Sequence, residues 1–152
     1  MKKPFIALMA VVIMLGVVAP LVIQADTASA CAGFSPGYWK NHREAWVGTG
    51  YSPTDSFVGV FGLDLDEPDY WAYTPDDYVP PATLLDALQS KGGQWDALNR
   101  QAVASLLNAA SGLDGWDSPP YDEEWVKGAV RYAYVFNKWE SVKDMLAGFN
   151  SL

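Results

Sequence analysis

The chain has 152 residues, with ten Lys and Arg against eighteen Asp and Glu, one Cys and one His. Beyond the first thirty residues there are eight basic and seventeen acidic groups, a net of −9, with all seven Trp, all eight Tyr and five of the six Phe. That length suits one small domain; the acidity argues against nucleic acid as a partner, and one Cys excludes an intrachain disulfide or a multi-thiolate metal site.

Lys2 and Lys3, an apolar run from Phe5 to Ile23 and the ending Ala28-Ser29-Ala30 are the three parts of a secretory signal peptide. Cleavage after Ala30 divides the chain into a signal peptide, 1–30, and an exported domain, 31–152, that begins at Cys31. Left uncut, an apolar run of about nineteen residues could anchor in a bilayer, although Gly16 and Pro20 interrupt it. A membrane partner is therefore expected only if the segment stays attached or Cys31 carries a lipid. Ala28 stands where lipid attachment favours a large aliphatic residue, so a free thiol, or a Cys31-linked dimer, fits better.

Ser35-Pro36 is a helix start, and Tyr38 to Trp46 then runs without a breaker until Gly48-Thr49-Gly50. Ser52-Pro53-Thr54-Asp55 repeats the start signal before a short segment, Thr54 to Phe61, that reads as helix or strand. From Gly62 to Pro81 there is no clear period, only acidic residues interleaved with Tyr70, Trp71, Tyr73 and Tyr78 and four prolines. Irregular segments of this length are often functional.

Pro81 to Gln89 predicts a short helix, closed by Gly92-Gly93. Gln94 to Ala110 is the clearest amphipathic helix, with Trp95, Leu98, Ala102, Leu106 and Ala109 at spacings of three or four. Asp114 to Tyr121 reads as a turn. Asp122 to Phe149 reads as one long helix or two, with a bend at Asn137 and a core face of Trp125, Ala129, Tyr132, Ala133 and Phe136. The expected fold is an all-α single domain of four to six helices with long aromatic and acidic loops.

The stretch Gly37-Tyr38-Trp39-Lys40-Asn41-His42, soon after the signal peptide and shortly after a Cys, resembles a group of exported bacterial and archaeal proteins that carry this motif. The group commonly continues with Pro, where this chain has Arg43. A later helix in the group has the form Leu-Ala-Arg-Gln-x-x-Ala-Ala-x-Leu-Asn-x-x-x-Gly, and Leu98-Asn99-Arg100-Gln101 through Asn108 and Gly112 matches it loosely. The resemblance implies an exported or envelope-exposed domain and brings no reaction with it.

His42 is the only candidate general base, with Glu44 as the nearest carboxylate in sequence. On a helix, Trp39 and Trp46 share its side, which predicts a histidine packed toward the core. No serine has the setting of a nucleophile elbow. Asp64, Asp66, Glu67 and Asp69 offer hard oxygens for calcium, although their order departs from the helix-loop-helix site and a solvated acidic loop explains them better. Asp114, Asp117 and Asp122 form a weaker set.

Tyr70, Trp71 and Tyr73 beside those carboxylates have the composition of a sugar-binding surface, and Lys40, Asn41 and His42 are further ligand-contact candidates. The chain thus reads as an exported non-enzymatic binding or structural domain with a protein or glycan partner at the cell surface. Two alternatives are a calcium- or carbohydrate-binding module using residues 64–78, and a secreted hydrolase using His42 with a nearby carboxylate.

Overall fold

A computed structural model describes residues 33–64, 66, 70, 72–112 and 121–151. The signal segment and Cys31 lie outside them, as do Glu67, Asp69, Trp71, Asp114, Trp116 and Asp117. Among the described residues the chain is helical and carries no strand, as the sequence predicts. The elements are α1 (Pro36–Asn41), a 3-10 turn (Arg43–Trp46), α2 (Phe57–Phe61), α3 (Leu84–Gln89), α4 (Gln94–Ala110), α5 (Glu123–Val135) and α6 (Trp139–Phe149).

Side-chain caps explain most helix starts. The Ser35 hydroxyl accepts the Tyr38 N–H at 3.2 Å, and Pro36 occupies the first turn, where no donor is lost. Ser56, rather than Ser52, caps α2 through the Gly59 N–H at 3.2 Å. Ser52 instead donates its backbone N–H to Asp55 Oδ2 at 2.8 Å and closes a turn. Thr83 and Asp86 form a reciprocal capping box, so α3 starts at Leu84 and not at Pro81. Asp122 caps α5 through the Trp125 N–H at 2.9 Å. That use accounts for one member of the weaker acidic set.

One expected helix is broken, and the C-terminal segment takes the two-helix alternative. The run Tyr38 to Trp46 stops at His42, whose backbone (φ −115°, ψ 69°) is non-helical, and a 3-10 turn follows. The Trp39 carbonyl accepts the Trp46 indole N–H at 3.0 Å, which ties the turn back onto α1. The C-terminal segment is two helices, parted where Asn137 adopts φ 52°, a left-handed conformation that Asn tolerates better than most residues.

α4 is the hub, packed against α1, α3, α5 and α6. Its residues Ala102 to Ala109 are buried on every side, a pattern of a central helix and not of a surface one. Ala102, Ala104, Ser105 and Ala109 let four neighbours approach closely. The core face of α5 is rotated from its expected place. Val126, Val130, Ala133 and Tyr134 are buried, while Tyr132 and Phe136 face solvent. The reason is Tyr134, which stacks on Trp95 at 4.6 Å and draws its own side of the helix inward. No helix of the described residues is long and apolar enough to cross a membrane.

Candidate binding site

The Phe34–His42 segment has a buried side and an exposed side, and α4 holds the buried one. Asn108 Oδ1 accepts both the Trp39 indole N–H and the Phe34 backbone N–H at 2.9 Å. Its Nδ2 donates to the Phe34 carbonyl at 3.0 Å and to Asn150 Oδ1 at 2.8 Å. Asn150 Oδ1 also accepts the Ser105 hydroxyl at 3.1 Å, and Asn150 Nδ2 donates to the Gln101 carbonyl and side chain at 3.0 and 2.9 Å. Asn108, Asn150 and Ser105 are buried with these groups bonded, as low-dielectric surroundings demand.

The backbone passes so near Asn108 that a Cβ on Gly33 would lie 2.1 Å from Nδ2, and Gly33 donates its N–H to the Phe149 carbonyl at 2.7 Å. The two sequence motifs are therefore two halves of one lock. Sequence reasoning assigned no such role to Gly33, Ser105, Asn108 or Asn150. The available signal was polar Ser105 and Asn108 within the otherwise apolar run of α4.

The exposed side carries a ring stack. Tyr38 lies between Phe34 (4.0 Å between centroids, 16°) and His42 (4.5 Å, 28°). His42 is half-exposed rather than packed toward the core, because the helix ends one residue before it. Its Nδ1 sits 3.0 Å from Glu44 Oε1. The Glu44 backbone N–H, followed by the His42 ring, holds the Glu44 carboxyl below the ordinary glutamate range.

Beside this segment lies a cavity of about 350 Å³ lined by Lys40, Asn41, Arg43, Gln89 and Lys91. Every lining residue ends in a cation or an amide. α1 contributes Lys40 and Asn41, the 3-10 turn contributes Arg43, and Gln89 closes α3. Lys91 rides on a loop fixed from α4: Arg100 donates to the Ser90 and Gly92 carbonyls at 2.8 and 3.0 Å, and Asp96 Oδ2 accepts the Gly92 N–H at 3.0 Å. Arg100 belongs to the second sequence motif, so that motif steadies both the buried lock and the rim of the cavity.

The acidic aromatic loop is only partly described. Asp64 Oδ1 accepts the Asp66 N–H at 2.9 Å, a local turn. Tyr70 is half-buried against the core, and Tyr73 is exposed. Tyr78 is bonded into the core: Asn99 Nδ2 donates to its hydroxyl at 2.6 Å, the two tyrosine hydroxyls are 3.3 Å apart, and Tyr134 donates to Asn99 Oδ1 at 2.9 Å. Among the described residues no three His, Cys, Asp or Glu side chains converge as metal ligands. Of the expected ligand residues, the fold therefore brings Lys40 and Asn41 to one cavity, sets His42 beside it, and leaves Tyr73 on a separate loop.

Other hollows lie among the described residues. One of about 530 Å³ lies between Phe34, Pro36 and Tyr38 on one side and Gln101, Ala147 and Asn150 on the other. Another, about 540 Å³ and largely apolar, lies between α5 and α6, with Trp125, Tyr132 and Met145 in its walls. Comparison of the chain with protein-family models, with curated proteins and with solved structures found no match.

Proposed function

We propose that the protein is an exported, cell-surface or extracellular binding domain whose contact surface is the exposed side of the Tyr38–Arg43 segment. The observation that carries this reading is the cavity formed by Lys40, Asn41, Arg43, Gln89 and Lys91. Internal hydrogen bonds fix the buried side of the same segment through Trp39, whereas Lys40 and Asn41 project from it, exposed. A rigid backbone that presents exposed polar ends is suited to recognition, because little order is lost in the scaffold on binding. The N-terminal signal pattern supports export, and buried Gly33 lies only three residues after Ala30.

The reading is tested by sedimenting the exported protein with envelopes of the producing cell. Lys40→Ala/Asn41→Ala is expected to lower the bound fraction several-fold, and Tyr73→Ala to leave it unchanged. The reverse pattern moves the site to the acidic aromatic loop.

A further inference from the structure

The cavity beside Lys40 runs against the charge of the molecule. The whole chain has a formal net charge of −8, yet three of the eight basic residues after position 30 line this one hollow, and no lining residue is acidic. Cations spread for solubility are normally interspersed with carboxylates. Of the other five cations after position 30, two show that pattern and two more are bonded to the backbone. Lys127 pairs with Glu123 and Glu124, and Lys143 lies 2.7 Å from Asp144. Arg100 and Arg131 donate to backbone carbonyls. Lys40, Arg43 and Lys91 make none of these bonds among the described residues, nor does exposed Lys138, but only these three share one hollow.

The remaining two lining groups narrow the chemistry. Asn41 and Gln89 each offer an amide with both donors and acceptors. A bare oxyanion uses donors only, so it would leave the amide acceptors idle. A sugar ring supplies hydroxyls that donate and accept, and an acidic sugar adds a carboxylate for the cations. The volume of about 350 Å³ falls near the lower end of the about 300–1,000 Å³ that small-ligand sites span. That suits one or two sugar rings better than a broad polymer face.

The geometry points to an acidic saccharide as the ligand, a uronic-acid unit whose carboxylate meets Lys40, Arg43 and Lys91 while its hydroxyls meet Asn41 and Gln89. This assignment rests on the proposed binding role of the Tyr38–Arg43 surface and gives that surface a chemical class. The cations come from separate elements, and two of those are fixed from behind. α1 is held by Asn108 through Trp39, and the Lys91 loop is held by Arg100 and Asp96. The site is therefore formed before the ligand arrives, which favours recognition of short segments.

The test is calorimetric titration of the exported protein with a galacturonic acid trimer, the matching galactose trimer and inorganic phosphate. The acidic trimer is expected to bind at least tenfold tighter than either of the others. Arg43→Gln/Lys91→Gln removes two exposed charges that hold no part of the fold, and its urea midpoint should match that of the parent. Its affinity for the acidic trimer should fall roughly tenfold or more per charge. Equal or tighter binding of the galactose trimer, weakened by Asn41→Ala, would overturn the acidic assignment and leave the binding surface standing. Phosphate binding as tight as the trimer would overturn the saccharide assignment. Absence of heat with all three probes also overturns it, while acidic-trimer binding untouched by every cavity variant removes both the assignment and the surface.

Discussion

Asn108 shows how one side chain sets the orientation of the N-terminal motif. Four hydrogen bonds converge on its amide, from Trp39, to and from Phe34, and to Asn150. Asn108→Ala leaves the Trp39 indole and the Phe34 amide without partners in a dry setting, where each unsatisfied group costs about 1–3 kcal/mol. Urea unfolding should therefore report a loss of about 3 kcal/mol or more. Gly33→Ala should lose about 1–3 kcal/mol, since the new methyl must displace Asn108.

A second residue-scale expectation concerns alkaline pH. Burial raises both Tyr78 and Tyr134 above the ordinary tyrosine range. Groups raised in this way contribute stability that is full below their unfolded value, about 10, and is lost as pH rises toward the folded value. Denaturant midpoints should fall above about pH 10, and Tyr134→Phe should flatten that fall. The same change breaks the Asn99–Tyr78–Tyr134 ring of hydrogen bonds and should cost about 1 kcal/mol at neutral pH.

At the scale of elements, the connection between α5 and α6 turns on the left-handed Asn137. Asn137→Gly should be near neutral, whereas Asn137→Ala should lose about 1 kcal/mol, read as a shift in thermal midpoint. Periodicity made α4 legible in full, from Gln94 to Ala110, because its apolar spacing is dense and its ends carry Gly93 and Gly112. The break at His42 was not legible. Trp39, His42 and Trp46 fit one helix side by spacing, and only the return of the Trp46 indole to the Trp39 carbonyl shows why the helix stops. The α5 face was misread for a related reason: the apolar residues on its two sides compete, and Tyr134 wins by stacking on Trp95 from another element. Lys40 and Asn41 were legible as contact candidates. Their partners Gln89 and Lys91 were not, since about fifty positions separate them in sequence and only the packing of α1 on α3 joins them.

For the whole molecule, the proposed export and the proposed recognition are linked by where the motif lies. The Gly33–His42 segment directly follows the expected signal peptide, and its anchors, Asn108 and Asn150, come from the end of α4 and the end of α6. The lock therefore closes only when the C-terminal helices are in place. Mass spectrometry of the protein recovered outside the producing cell should give a chain that begins at Cys31. Recovery of the chain only in the membrane fraction, with Met1 intact, would instead favour an anchored form. The proposed role has one segment fold with one side and bind with the other. It is tested most directly by measuring envelope binding and urea stability on the same Lys40→Ala/Asn41→Ala protein. The expected result is an unchanged unfolding midpoint with binding lowered several-fold. A lowered midpoint with undiminished binding would contradict it.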